Sequence, residues 1–264
     1  MQQVETREAI TLENDGEKIF GILHRPLHSQ PVPAIVICPG FAGNKCGKFR
    51  MFVTLGKELA KRGIAVLRFD YRGAGDSEGE FREVTLEGKI SDTLKCLNFL
   101  AADPQVDASR LGLLGRSLGG AIAVLAARRF QAIKSLVLWA PVFRSDPWRE
   151  LWESFTSNQK LDSAKQEILR HLPPPIPNLE FLTQFFQLDL QKELENLKHI
   201  PLLHIHGEQD HVVKMEHARD FEKARVGLEN TRFLQLPKSD HDFSDFQEQA
   251  IVIQETSEWY QKTL

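Results

Sequence analysis

A serine at the centre of a small-residue pentapeptide is placed where it could act as a nucleophile. Residues 115–119 read Gly-Arg-Ser-Leu-Gly, with Ser117 between an apolar run at 111–114 and small, apolar residues at 121–124. The flanking glycines allow a sharp turn from a strand into a helix, because a Cβ atom beside the serine would crowd that turn. Such a turn holds the hydroxyl clear of the backbone and near the free amides of a helix N-terminus. The pattern therefore predicts a nucleophilic serine.

Two further side chains have the chemistry and the position to activate that serine. A serine hydroxyl is a weak nucleophile at neutral pH and needs an adjacent base. Asp210 lies a few residues after the apolar stretch 202–205, and His241 lies after the stretch 233–236. Because open α/β sheets bring the carboxyl ends of their strands together, we expect Ser117, Asp210 and His241 to meet there. His241 would act as the general base, and Asp210 would orient its imidazole ring.

Other carboxylates near these positions leave alternatives for the orienting acid. Asp240 and Asp242 flank His241, but the sequence neighbours of a histidine seldom aim their carboxylates at its ring. Glu208 leaves the same strand end as Asp210 and is the second choice. We therefore favour Asp210 as the acid.

Two other patterns resemble a metal site and a phosphate-binding loop, and each lacks part of the required motif. His204 and His206 alternate along a strand as metal ligands can, but no third ligand follows at a suitable spacing, which favours packing or hydrogen bonding near the site. The glycine-containing loop 70–77 lacks the Gly-Lys-Ser/Thr of a phosphate loop. Its charged residues are expected to brace a turn: Asp70, Arg72 and Asp76. The sequence predicts neither a metal nor a cofactor.

The elements that position these residues alternate between apolar strands and helices. Stretches 9–13 and 17–24 flank Asn-Asp-Gly and predict an antiparallel hairpin with a tight turn. Further strands are predicted at 34–38, 64–69, 111–114, 136–139, 201–206 and 232–236. Helices are predicted around 52–60, 90–101, after 117, around 215–226 and around 251–259. This order predicts an α/β fold: a mostly parallel twisted sheet with an N-terminal antiparallel hairpin and helices on both faces.

The stretch 143–199 interrupts this alternation and is typical of a small helical insertion within one domain of residues 1–264. Asp146-Pro147 fits the start of a helix, and prolines at 173–177 separate two aromatic segments. The aromatic side chains either fix the insertion to the sheet or line an apolar substrate pocket beneath a lid. They are Trp148, Trp152, Phe155, Phe181 and Phe185.

Together these motifs resemble the α/β-hydrolase superfamily, from the hairpin to the C-terminal helix. The pentapeptide around Ser117, His206-Gly207-x-x-Asp210 and His241-Asp242-Phe243 occur in the order typical of that fold. The resemblance implies an oxyanion hole made by two backbone N–H groups, those of Leu118 and Phe41. A serine nucleophile argues against a dehalogenase or a dienelactone-type hydrolase.

The compact size and short lid resemble small bacterial serine carboxylesterases, which include feruloyl (cinnamoyl) esterases. Those enzymes usually carry histidine before the nucleophile, where this chain has Arg116, and often a lid tyrosine, whereas Tyr71 and Tyr260 are the only tyrosines here. These departures argue against a phenolic substrate. Arg116 is expected in a salt link beneath the turn or in contact with an acidic substrate.

The resemblance therefore implies a serine hydrolase that cleaves carboxylic esters of small to medium acyl groups through an acyl-enzyme intermediate. An acyl-CoA thioesterase, a monoacylglycerol lipase or a small-peptide hydrolase would use the same chemistry. A non-catalytic ligand-binding module is the alternative from another class, and the intact serine, aspartate and histidine argue against it.

Composition limits the partners and the compartment. A net charge of −3 gives no basic surface for nucleic acid or an anionic membrane. No apolar run approaches the roughly 20 residues that span a bilayer, and the N-terminus lacks a secretory signal. Three scattered cysteines favour a reducing compartment. We expect a cytoplasmic protein, a monomer or homodimer, whose partner is a small-molecule ester.

Overall fold

The computed structural model describes residues 5–27, 30–156 and 178–264, without the side chains of residues 151, 152 and 154–156. The strands are β1 (Glu5–Asn14), β2 (Glu17–Pro26), β3 (Val32–Cys38), β4 (Ala65–Phe69), β5 (Val106–Arg116), β6 (Ile133–Trp139), β7 (Leu202–Gly207) and β8 (Thr231–Leu236). The helices are α1 (Met51–Lys61), α2 (Leu86–Ala102), α3 (Leu118–Arg129), α4 (Asp146–Thr156), α5 (Leu179–Phe185), α6 (Gln191–Asn196), α7 (Met215–Ala224) and α8 (Phe246–Thr263).

Within the described ranges, eight strands form one sheet in the order β1-β2-β4-β3-β5-β6-β7-β8. β2 pairs antiparallel with both β1 and β4, and every other neighbouring pair from β4 to β8 is parallel. The predicted mostly parallel sheet with an N-terminal hairpin is therefore confirmed. Asp15 and Gly16 close the hairpin with φ angles of 49° and 81°, because a two-residue turn that follows the strand twist needs positive φ at both positions.

Helices cover both faces of the sheet and form two apolar cores. α1 and α8 pack on one face through residues such as Phe52, Leu55 and Tyr260. α2 and α3 pack on the other face through residues such as Ile90 and Ile122. The central strands are buried on both sides, which explains why their sequences are continuously apolar rather than alternating.

The two ends of the predicted insertion 143–199 are joined to each other at its base. Arg144 and Asp189 form a β-bridge. The amide of Ser145 donates to the carbonyl of Leu188, and that of Leu190 donates to Phe143. These bonds fix where the chain leaves the sheet after β6 and where it returns before β7. No helix in the described ranges is both long and apolar enough to cross a bilayer.

Candidate active site

Ser117 lies at a strained turn between β5 and α3. Its backbone has φ 56° and ψ −126°, a conformation that L residues adopt only under constraint. The two flanking glycines are required by close backbone contacts. A Cβ atom on Gly119 would lie 2.1 Å from the carbonyl oxygen of Cys38, and one on Gly115 would lie 2.2 Å from that of Gly119. The turn is therefore compressed against the end of β3, and the serine projects from it.

The structure brings the three predicted reactive side chains together. Ser117 Oγ lies 3.0 Å from His241 Nε2, and His241 Nδ1 lies 2.7 Å from Asp210 Oδ2. The residues come from the ends of β5, β7 and β8, which meet at the carboxyl edge of the sheet. Because the carboxylate can only accept, Nδ1 carries the proton, and Nε2 is left free to take one from the serine.

The carboxylate of Asp210 is held in the orientation that this arrangement needs. Its Oδ1 atom accepts hydrogen bonds from the amides of Val212 and Val213, both at 2.8 Å, which leaves Oδ2 for His241. Burial by itself raises the pKa of Asp210, but hydrogen bonds from His206 and His241 outweigh it and hold the pKa well below its ordinary value. Asp210 is therefore ionised throughout the neutral range.

The alternative acids have other contacts. Asp240 accepts from the amides of Asp242 and Ser244, and Asp242 pairs with Arg116. Glu208 is exposed. Among the described residues, Asp210 alone places a carboxylate on the His241 ring.

His204 and His206 lie buried behind Asp210 and pack against each other. His206 Nε2 donates to the carbonyl of Val213 at 2.7 Å, so its Nδ1 accepts from His204 Nε2 at 3.2 Å. Burial lowers the pKa of His204 well below its ordinary value. The pair therefore fixes the loop that carries Asp210. The described residues contain no group of three or more side chains suited to holding a metal ion.

The two amides implied for the oxyanion hole belong to the residue that follows the serine and to a loop that borders it. Leu118 begins α3. Phe41 lies in the loop after β3, residues 39–47, hereafter the Phe41 loop. That loop borders the nucleophile, since a Cβ atom on Gly40 would lie 3.8 Å from Ser117 Oγ. Within the described ranges, neither the Phe41 nor the Leu118 amide donates a hydrogen bond, so both are available to an incoming oxygen.

A brace from the neighbouring loop 70–77 holds the Phe41 loop. Asp70, which is fully buried, accepts hydrogen bonds from the amide of Lys45 at 2.6 Å and from that of Asp76 at 2.9 Å. The Lys45 ammonium also bridges the carboxylates of Asp70 and Asp76. Sequence reasoning assigned a bracing role to this loop but did not identify Lys45, because nothing in the spacing indicates which lysine reaches it.

Aromatic rings of the insertion pack above the Phe41 loop. The Phe41 ring lies 5.1 Å from that of Phe181 and 5.2 Å from that of Phe81. Phe185 stacks on Phe181, and Trp148 contacts Phe185 edge-on. Phe181 is almost completely buried, so this ring also attaches the insertion to the sheet. The side chains of Trp152 and Phe155 lie outside the described residues.

Comparison with known proteins identifies the family. Residues 29–181 match the family model described as serine aminopeptidase, S33. The chain belongs to this family. The match includes the Phe41 loop and Ser117, and it ends before Asp210 and His241.

Solved structures confirm the α/β-hydrolase fold. Est1E from Butyrivibrio proteoclasticus, solved with bound ferulic acid, superposes with a TM-score of 0.77 at 22% identity, covering 97% of this chain and 99% of that one. A putative hydrolase from Agrobacterium vitis superposes with a TM-score of 0.71 at 18% identity, covering 98% of this chain and 100% of that one.

Curated relatives share parts of the sequence. Thiohydrolase aneE of Aspergillus aculeatus is 34% identical over 133 residues, which cover 50% of this chain and 40% of that protein. Two uncharacterized proteins from Escherichia coli and two from Mycobacterium tuberculosis, 32% to 33% identical, are matched over 36% to 45% of their own length. The chain thus aligns with less than half of each of these proteins.

Proposed function

We propose that this hydrolase cleaves carboxylic esters of small to medium acyl groups through an acyl-enzyme formed on Ser117. The observation that carries the proposal is the continuous hydrogen-bonded line from Ser117 through His241 to Asp210. A serine hydrogen-bonded to an imidazole, next to two amides that have no hydrogen-bond partner among the described residues, has what acyl transfer requires.

The geometry supports a two-step reaction. His241 Nε2 takes the proton of the serine hydroxyl as Oγ attacks the ester carbonyl, and the negative oxygen lies against the amides of Phe41 and Leu118. The imidazolium then gives its proton to the alcohol that leaves. Water repeats the sequence on the acyl-enzyme, with His241 again as the base. Asp210 stays ionised and stabilises the imidazolium in both steps.

The surroundings of the site favour uncharged, apolar acyl groups. The rings of Phe41, Phe181, Phe185 and Trp148 contact one another in series, starting from the loop that borders the nucleophile. A peptidase acting at a free amino terminus would need a carboxylate to bind the ammonium group. The carboxylates beside His241 already have partners: Asp240 in its own turn, Asp242 with Arg116, and Asp210 with His241. Among the described residues, the carboxylates beside His241 therefore offer no unpaired group to a peptide amino terminus, which supports ester cleavage.

Thioester cleavage is the second candidate. The same serine, base and amides would act on a thioester, and a curated relative is named a thiohydrolase. The two activities differ in the leaving group, which is an alcohol from an ester and a thiol from a thioester.

The decisive experiment compares substrates that differ only in the bond cleaved. p-Nitrophenyl esters from acetyl to lauroyl, matched acyl-CoA thioesters and p-nitroanilides are assayed with the wild type and with Ser117→Ala. We expect ester hydrolysis and fluorophosphonate labelling, both abolished in Ser117→Ala. Folded wild-type protein that resists labelling would exclude a serine hydrolase. Turnover confined to thioesters would establish the second candidate, and turnover confined to anilides would overturn both.

A further inference from the structure

Arg116, the residue before the nucleophile, contacts the residue that carries the general base. Its Nη2 atom donates to the main-chain carbonyl of His241 at 2.8 Å and to the carboxylate of Asp242. The Arg116 side chain is 14% exposed and lies at the end of β5. The contact joins positions 125 residues apart in the sequence. It connects the turn that projects Ser117 directly to the loop that projects His241.

The other main-chain contacts of that loop are made by the residues around His241, such as the bonds from the amides of Asp242 and Ser244 to the Asp240 carboxylate. Its turn is closed by the Phe243 amide, which donates to the carbonyl of Asp240. Phe243 adopts a left-handed conformation with φ 54°, and its buried ring packs on Trp139. These contacts hold the loop on either side of the histidine. The Arg116 bond acts on the histidine's own backbone, and so it bears on the direction in which the imidazole projects.

Asp242 completes the arrangement and neutralises the arginine. It pairs with Arg116 and also lies 3.7 Å from Lys48, on the segment that follows the Phe41 loop. The charge of Arg116 is already paired with that of Asp242, and both Nη2 hydrogens are used within the protein. Because both bonds come from this one nitrogen, a lysine at position 116 makes the same two bonds only if its shorter side chain reaches both acceptors.

We propose that Arg116 is a positioning residue that sets the distance between His241 Nε2 and Ser117 Oγ through its bond to the His241 carbonyl. The inference rests on the proposed function and adds a determinant of its rate. Catalysis is sensitive to such placement, since a misplacement of about 1 Å costs on the order of 100-fold in rate.

The test separates the carbonyl bond from the ion pair. Arg116→Met removes both, Arg116→Lys keeps the charge, and Asp242→Asn removes the ion pair but leaves the carbonyl bond. We expect kcat for a p-nitrophenyl ester to fall about 10- to 100-fold in Arg116→Met, with KM changed less than about two-fold. Arg116→Lys should lose less, and Asp242→Asn should also lose less than Arg116→Met, because the bond to the His241 carbonyl remains. Added guanidinium should restore part of the kcat of Arg116→Ala.

Arg110→Met is a matched control. Arg110 also pairs with a carboxylate, Asp107 at 2.7 Å, and donates to a main-chain carbonyl, that of Pro31 at 3.2 Å, on the same strand β5 but remote from the site. The Arg110→Met variant should keep the kcat of the wild type. Thermal unfolding of each variant shows whether lost activity reflects lost structure.

Three results would overturn the inference. The first is a wild-type kcat in folded Arg116→Met, and the second is a loss of kcat in Asp242→Asn equal to that in Arg116→Met. The third is a rise in the KM of Arg116→Met with kcat unchanged, which would make Arg116 a substrate-binding residue. If the wild type hydrolyses no ester or thioester, the proposed function fails on its own. The orientation of the imidazole is then followed by the low-field NMR signal of the His241 Nδ1 proton, which reports the bond to Asp210 and should be present in the wild type and weakened in Arg116→Met. An unchanged signal would show that Arg116 does not orient the ring.

Discussion

At the scale of single residues, the carboxylate of Asp210 divides its two oxygens between separate tasks. Oδ1 is fixed by two loop amides, and Oδ2 faces His241. An amide side chain could preserve the shape of this contact while losing its charge. It would also offer a donor to a ring nitrogen that is itself a donor, which favours the wrong imidazole tautomer.

We therefore expect Asp210→Asn to lower kcat by about four orders of magnitude with little change in KM. The measurement is steady-state hydrolysis of the best ester found for the wild type. Glu208→Gln, which changes an exposed carboxylate on the same loop, should retain wild-type kcat. A large loss in Glu208→Gln and a small one in Asp210→Asn would reassign the orienting acid.

Single residues also show how far sequence reasoning reaches. Ser117 could be predicted because its conformation is set by neighbours two residues away. Arg116 could not be given a partner, because Asp242 lies 126 residues further along the chain. Asp210 could be preferred over Glu208 from its place after a strand, but its contact with His241 depends on the register of β7 and β8, which spacing does not specify.

At the scale of elements, the turn between β5 and α3 is pressed against the end of β3. Gly119 lies so close to the carbonyls of Cys38 and Pro39 that a methyl group would fall 2.1 and 2.3 Å from their oxygens. Both obstacles are backbone, so no side chain can rotate out of the way. Gly40 follows Pro39 in the Phe41 loop, and a Cβ atom there would lie no closer than 3.4 Å to its neighbours, which is ordinary van der Waals contact.

We expect Gly119→Ala to destabilise the fold by about 1–3 kcal/mol or to prevent folding, because the turn between β5 and α3 would be forced away from the end of β3. Gly40→Ala is the matched control and should unfold at nearly the wild-type temperature. Its methyl group faces the nucleophile and should lower kcat/KM instead. Thermal unfolding followed by circular dichroism distinguishes the two effects. Equal unfolding temperatures for Gly119→Ala and wild type would contradict the described packing.

The strands and the helices that cover the sheet were largely predictable, because apolar runs and helical periodicity can be read from neighbouring residues in the sequence. The strand order was not, since the placement of β4 between β2 and β3 depends on contacts between distant segments. The brace from Lys45 to Asp70 was also beyond prediction, because it joins two loops that the sequence separates by 25 residues.

At the scale of the whole molecule, one charge lies inside the larger apolar core. Lys89 on α2 is 1% exposed, and its ammonium lies 4.1 Å from the centre of the Tyr71 ring. Among the described residues, its Nζ atom has no hydrogen-bond partner. Burial lowers the pKa of Lys89 to about 7, although Asp92 favours the charged form. The sequence gives no sign of this, because a lysine on an amphipathic helix is normally solvated.

The burial of Lys89 is expected to lower the free energy of unfolding by an amount that depends on pH. Below about pH 7 the native state holds a charged, poorly solvated ammonium, and the full destabilisation is present. As pH rises above 7, the native state loses the proton while the unfolded chain keeps it, so the free energy of unfolding increases toward pH 10. Lys89→Met should therefore stabilise the protein at pH 6 by about 1–3 kcal/mol, with the gain shrinking toward pH 10.

Urea unfolding at pH 6, 8 and 9.5 measures this difference. Lys57→Met is the control, because Lys57 is an exposed lysine on α1. It should shift stability little and equally at each pH. A Lys89→Met variant that is destabilised by the same amount at every pH would show that the ammonium contributes favourably to the core.

The order of the strands also implies an order of events in time. Ser117 follows a strand in the middle of the sheet, whereas Asp210 and His241 follow the two strands at one edge, and the base lies 124 residues beyond the nucleophile. Contacts between distant segments form slowly during folding. The contact between the nucleophile and its base therefore needs β5, β7 and β8 to be joined in one sheet. Recovered hydrolysis during refolding would then mark the completed sheet from β5 to β8, and not the collapse that precedes it.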